Sequence, residues 1–232
     1  MSRADPRLPG EAGEGAGRLL ALLAAEPASI SSVTDPERAW SVHVADSLAG
    51  LEVPELRNAS RIADIGSGGG FPGLVLALAL PAAAVDLIES VRRKCDFLRR
   101  AVETAGAANA RVACDRAERL AAGAGRERYG AVTARAVGRL ATLAELASPL
   151  LAEGGVLVAW KGRCDPGEEA ELRRASAELA MEPEGVLEVR PYPASRHRHL
   201  HVVRKAGPTP PGLPRRPGMA AKRPRGRSRA PD

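Results

Sequence analysis

Between residues 59 and 206 the chain predicts an α/β fold built on a mostly parallel sheet with helices on both faces. Three features predict it. Short β-branched or aliphatic runs alternate with runs of helical length and period. The helical runs are long enough to carry right-handed crossovers between parallel strands. A glycine-rich turn joins the first strand to the first helix, and an acid closes each of the first two strands. No internal repeat is visible.

The elements follow in order. Residues 1–15 are rich in Gly, Pro and Glu and are expected to be loose, and 16–58 to form a helical cap. Within the cap, 18–25 is a short helical run. Asp35-Pro36-Glu37 marks a second helix start, with Asp as N-cap, Pro in the first helical position and an acid in the first turn. His43, Asp46 and Ser47 then share one helical face. Segment 61–65 is the first strand. Helix 71–80 is stopped by Pro81, and 84–89 is the second strand. Helix 91–105 presents Val91, Cys95, Leu98 and Val102 on one face and ends at Gly106. Strands at 111–114 and 131–134, a helix at 140–151, a strand at 155–161 and a helix at 168–180 come next. Two closing strands are expected at 186–192 and 200–205.

Composition narrows the class. At 232 residues, 44% hydrophobic and 27% charged, the chain can bury a core. Its longest apolar stretch, 74–85, is too short to span a bilayer, and no secretory signal is expected from its opening residues. Cys95, Cys114 and Cys164 are odd in number and far apart, which argues against a disulfide framework, and four histidines give no metal-ligand pattern. No metal and a cytoplasmic setting are therefore expected. Residues 207–232 hold seven basic residues and one acid, and so carry the whole formal net charge of +6. With seven prolines and few large apolar residues, this segment is expected to be a disordered basic tail, either a polyanion-binding extension or a solubilising one.

The central signal is the turn Asp64-Ile65-Gly66-Ser67-Gly68-Gly69-Gly70-Phe71-Pro72-Gly73. Glycines there permit positive φ and close backbone approach to a ligand. Two cofactor classes use such a turn. A dinucleotide site reads Gly68-x-Gly70-x-x-Gly73 and an S-adenosylmethionine site reads Asp64-x-Gly66-x-Gly68. Asp64 suits an ammonium group and repels a diphosphate. Pro72 removes a backbone N–H that a diphosphate would use. Glu89, ending the second strand, suits a ribose diol in either class. The balance favours S-adenosylmethionine.

The run 62–73, the segment Thr133-Ala134-Arg135-Ala136, the strand end Trp160-Lys161-Gly162 and the upstream His43-x-x-Asp46-Ser47 together resemble the ribosomal RNA small subunit methyltransferase G family, also called glucose-inhibited division protein B. The resemblance spans about 29–206. It implies a class I S-adenosylmethionine-dependent methyltransferase fold, Rossmann-like and doubly wound, with antiparallel C-terminal strands. It also implies transfer of a methyl group to guanine N7 in the decoding region of 16S ribosomal RNA. By the same resemblance Asp64, Gly66, Gly68, Phe71, Glu89, Ala117, Glu118 and Arg135 are cofactor-site positions. Arg135 and His43 are the candidate catalytic residues at the transfer cleft. Ser29-Ile30-Ser31 stands where the family has an Asn-Leu-Thr signature, and the N-terminal helical region is shorter than usual.

The chemistry fits what is absent as well. Guanine N7 has an in-plane lone pair and no proton, so its attack needs positioning rather than a general base. The Asn/Asp-Pro-Pro-aromatic clamp of exocyclic-amine methyltransferases is missing after the fourth strand, and none of the cysteines lies there to serve a C5 mechanism. Lys161, the basic turn Arg196-His197-Arg198, and Arg215 and Arg216 of the tail are candidate contacts to the RNA backbone. The partner expected is 16S ribosomal RNA or the small subunit, with no membrane and a monomeric chain. The alternatives are a methyltransferase of the same fold acting on another substrate, an RNA-binding assembly protein with a relic cofactor pocket, and a dinucleotide-dependent oxidoreductase. For the last, no catalytic Tyr-Lys pattern is visible.

Overall fold

A computed structural model describes residues 8–26, 33 and 35–227. The chain opens with helix α1 (Gly10–Ala25). A helical stretch follows: α2 (Pro36–Ala39), a π-helical turn (Trp40–Ala45), α3 (Asp46–Leu48), a 3-10 turn (Ala49–Glu52) and α4 (Pro54–Arg57). Then come β1 (Arg61–Ile65), α5 (Gly73–Ala79), β2 (Ala84–Glu89), α6 (Arg92–Ala105), β3 (Ala110–Cys114), α7 (Ala117–Ala121), β4 (Tyr129–Arg135), α8 (Leu140–Ala147), β5 (Leu151–Lys161), α9 (Pro166–Leu179), β6 (Met181–Val189), β7 (Arg198–Lys205) and α10 (Met219–Lys222).

The seven strands form one sheet in the order β3-β2-β1-β4-β5-β7-β6. The pairs among β1 to β5 are parallel, while β7 runs antiparallel to β5 and to β6. The chain crosses from one half of the sheet to the other between β1 and β4, and ligands of such sheets bind at the strand ends beside that point. Alternate residues feed two cores, as strand geometry requires. Ile62, Val85, Leu87, Ala131, Val156 and Val158 face α1, α5 and α6. Ala63, Ile65, Ile88, Val132, Leu157 and Ala159 face α7, α8 and α9.

The Asp35 N-cap forms as expected, its Oδ1 accepting from the Arg38 amide at 2.7 Å ahead of Pro36. The departures have physical causes. Residues 10–15 are not loose but form the first turns of α1. A Cβ on Gly15 would lie 2.5 Å from the Ala105 carbonyl oxygen, so the glycine lets α1 settle onto α6, and Arg18 donates to the Thr104 oxygen at 2.8 Å. Cys95 and Cys114 pair as a disulfide between α6 and β3, because helix and return strand bring their Cα atoms to 5.7 Å. The last strand pair begins earlier than expected, with β6 starting at Met181.

The largest correction concerns the tail. Residues 207–227 are packed on the body. Leu213 and Ala220 are buried. Arg215 forks onto the buried Glu145, with both N···O distances 2.5 Å, and Arg225 pairs with Glu178. Thr209 hydrogen-bonds Glu127 through its amide and its hydroxyl. Composition missed this because the partners are acids of the body. Residues 29–31 lie outside the described residues, as do 1–7 and 228–232 of the two expected disordered ends.

Candidate active site

After β1 the backbone turns through Gly66, Gly68 and Gly70, with φ of 71°, 53° and 95°. A side chain is disfavoured in that region, which is why glycine recurs there. The amides of Gly66 and Ser67 both donate to the Ile88 carbonyl, tying the turn to β2. The Phe71–Pro72 peptide is cis. Asp64 is fully buried. Its Oδ2 accepts from the Gly73 amide at 3.1 Å and its Oδ1 from the Thr133 hydroxyl at 2.7 Å. A Cβ on Gly73 would sit 2.6 Å from the Asp64 Cβ, so only glycine can start α5 there. Burial pushes the Asp64 carboxyl up to about 6, against the hydrogen bonds from Thr133, Ser67 and Gly73. Both of its oxygens bind the loop and β4, and the side chain is closed off from solvent.

Two clefts open at the ends of the parallel strands, one on each side of segment 135–138. The first, about 150 Å³, is lined by Gly66, Glu89, Ala117 and Glu118 among others. The Glu89 carboxylate is seated by three amides: Gly68 at 3.1 Å on Oε2, with Ser90 at 2.8 Å and Val91 at 2.9 Å on Oε1. Glu118 Oε1 accepts from the Gly218 amide at 2.7 Å. Glu89, Asp115 and Glu118 face this cleft against a single cation, Arg116. A surplus of carboxylates favours a cationic nucleoside and disfavours a diphosphate.

The second cleft, about 250 Å³, is lined by Asp46, Arg135, Trp160, Lys161 and Arg198 among others. Asp46 organises it. Its Oδ2 accepts from Arg135 Nη1 at 2.9 Å, and its Oδ1 lies 3.3 Å from Arg198 Nε. Its backbone oxygen accepts from the Trp160 indole at 2.8 Å. Arg135 Nη1 also donates to the Val42 carbonyl at 3.1 Å, and its guanidinium carbon sits 5.4 Å from the centroid of the Phe71 ring. His43 stacks on that ring at 4.6 Å with planes 15° apart. Burial first, and then the charge of Arg135, hold the His43 pKa down to about 4, so its imidazole is neutral at pH 7.

The structure thus unites His43, Phe71 and Arg135 in one stack, and Gly66, Glu89, Ala117 and Glu118 in one cleft; Gly68 holds Glu89 from behind. The RNA candidates divide. Arg196 and His197 are exposed at the β6–β7 turn, and Arg216 is exposed on the C-terminal segment. Lys161 is instead engaged with Glu168 and the Gly138 carbonyl, and Arg198 with Asp46 and the Tyr192 hydroxyl. Arg215 is not free for RNA: its guanidinium is taken up by Glu145. Sequence reasoning missed the Thr133 hydroxyl on Asp64, the Trp160 indole on the Asp46 backbone and the lining by Gly218, Ala220 and Ala221. The i, i+3 spacing of His43 and Asp46 was the one available signal for the Asp46 network.

A doubly wound sheet, a glycine turn anchored by an acid, and an acid-lined cleft beside a second cleft define a class I methyltransferase. Solved structures of similar fold agree. A predicted O-methyltransferase from Agrobacterium tumefaciens matches with a TM-score of 0.54 at 26% identity, over 70% of this chain and 81% of that one. A SAM-dependent O-methyltransferase from Thermotoga maritima matches in fold with a TM-score of 0.55 at 15% identity, over 84% of this chain and 71% of that one.

Sequence comparison narrows the class to a family. The family model for GidB, rRNA small subunit methyltransferase G, matches residues 19–200. The ribosomal RNA small subunit methyltransferase G of Rubrobacter xylanophilus is 43% identical over 201 residues, 85% of this chain and 77% of that protein. That of Deinococcus radiodurans is 39% identical over 213 residues, 89% of this chain and 83% of that protein. The chain belongs to the rRNA small subunit methyltransferase G family.

Proposed function

We propose that this protein transfers a methyl group from S-adenosylmethionine to guanine N7 in the decoding region of 16S ribosomal RNA. The observation that supports it most is the pair of clefts flanking segment 135–138, one acid-lined and one arginine-lined. The first fits the cofactor. Positive-φ glycines leave the backbone bare, since a Cβ on Gly66 would already meet Val137 at 2.7 Å. Glu89 has carboxylate oxygens for a ribose diol, and Glu118 lies beside the same cleft. When bound, S-adenosylmethionine supplies an electrophilic methyl group on a sulfonium.

The residues of this chain do the rest by positioning and charge balance. Guanidinium groups read guanine O6, and Arg135 and Arg198 both line the second cleft. Asp46 offsets one of their two charges, which lowers the repulsion between the acceptor side and a cationic donor. His43, neutral at pH 7 and stacked on Phe71, adds no positive charge near the transfer path. With its pKa near 4 it is a weak base, and N7 has no proton to remove. Among the described residues the cysteines are the Cys95–Cys114 pair and the exposed Cys164, none of which lines either cleft, so a covalent C5 mechanism has no nucleophile here.

Among the described residues no helix is long and apolar enough to cross a membrane. The exposed large apolar side chains Val91, Val137 and Val186 lie on different segments, which supports a monomer. The test is methyl transfer to small subunits from a strain lacking this enzyme. One methyl group per subunit should be incorporated, and borohydride and aniline should then cleave the 16S RNA at one new position. Incorporation without that cleavage would overturn the N7 assignment.

A further inference from the structure

The family match ends at residue 200, yet the chain continues and folds back over the first cleft. Gly218, Ala220 and Ala221 form part of its lining, together with Gly66, Glu89 and Glu118. We propose that residues 213–223 are the outer wall of the adenine subsite, so that this C-terminal segment binds cofactor rather than RNA. The inference rests on the methyltransferase reading above and extends it to residues outside the matched family region.

Four contacts place the wall. Leu213 is buried in the core shared by α8 and α9, and its carbonyl accepts from Arg126 at 3.3 Å. Arg215 forks onto Glu145, which is 3% exposed, and donates to the Arg223 carbonyl at 2.8 Å, closing the segment into a loop around α10. The Thr142 hydroxyl donates to the Ala220 carbonyl at 3.3 Å. Gly218, at φ 81°, donates its amide to Glu118 Oε1. Glu118 is 8% exposed and faces the cleft. With Oε1 so engaged, Oε2 has no hydrogen-bond partner among the described residues. An amino group on a flat ring, as adenine presents, is the donor that suits it. The segment lines the cleft with small residues, Gly218, Ala220 and Ala221. The segment therefore both fixes the rotamer of Glu118 and encloses the base that Glu118 would contact.

The experiment uses the full chain and S-adenosylhomocysteine, with affinity measured by calorimetry and folding by thermal melting. Ala221 is exposed on the rim, so Ala221→Trp should fold normally while its indole fills the subsite. We expect affinity to fall at least tenfold with an unchanged melting temperature, and adenosine alone to lose binding in parallel. A second measurement needs no variant: saturating S-adenosylhomocysteine should slow tryptic cleavage after Lys222 several-fold. Wild-type affinity in Ala221→Trp, or cleavage unaffected by ligand, overturns the wall while leaving the methyltransferase reading intact. A wild-type chain that binds no S-adenosylhomocysteine overturns that reading and the wall with it.

Discussion

Asp46 is the carboxylate on which the second cleft turns. It is buried, with Arg135 on one oxygen and Arg198 near the other. Removing one partner of a buried pair leaves a charge uncompensated, which typically costs about 3–5 kcal/mol; removing both partners can be neutral. Arg198 still faces Asp46 in Arg135→Met, so this variant should destabilise the protein by less than that, and lower single-turnover methylation about a hundredfold. Arg135→Met combined with Asp46→Leu should recover stability in urea denaturation but not the rate. Recovery of both would make Arg135 merely structural. His43 and Asp64 make opposite pH predictions. His43 is held near 4 in the fold against 6.5 when unfolded, so the unfolded chain takes up that proton first and stability falls as pH drops from about 6.5 to about 4. Asp64 is raised to about 6 from 3.8, so the folded chain takes up that proton first and stability rises as pH drops over that range. In His43→Phe only the Asp64 contribution of the two remains. The stability of this variant relative to wild type should increase as pH falls from 7 to 5, measured by denaturation midpoints. A relative decrease would contradict the assignment.

At the scale of elements, the glycine turn works because three of them converge on Asp64: the end of β1, the start of α5 and the middle of β4. Gly73→Ala would place a methyl group against Asp64 with no room to relax. It should cost about 1–3 kcal/mol in stability and weaken S-adenosylhomocysteine binding, as calorimetry would show. Much of this architecture was legible in the sequence. β1 and β2 lie where the aliphatic runs end in acids, and the turn lies between them. The direction of Asp64 was not legible: a strand-end carboxylate has the same sequence whether it faces a ligand or an amide nine residues on. Glu89 was singled out by its place at a strand end and Glu118 by the family resemblance, but their partners, the amides of Gly68 and Gly218, lie 21 and 100 residues away. The C-terminal segment was misread for the same reason, since its arginines look solvated until Glu145 and Glu178 are seen in space. The cysteine pair was likewise hidden by its separation of 19 residues.

For the whole molecule, charge placement changes once the chain is folded. The excess positive charge belongs to residues 207–232, but Arg215 and Arg225 are matched by acids of the body. What is left outward includes Arg216 and, on the β6–β7 turn, Arg196. If both touch phosphates, Arg196→Ala with Arg216→Ala should reduce the slope of log K against log salt for 16S RNA by about 2 units. An unchanged slope would remove them from the interface. The Asp46 knot carries a further consequence. One residue of the N-terminal cap is bound to β4 through Arg135, to β5 through Trp160 and to β7 through Arg198. The second cleft is thus a preformed receptacle that cannot widen without breaking three ties at once. If this cleft receives the target guanine as proposed, the burden of rearrangement falls on the nucleic acid, whose base must leave its stack to enter.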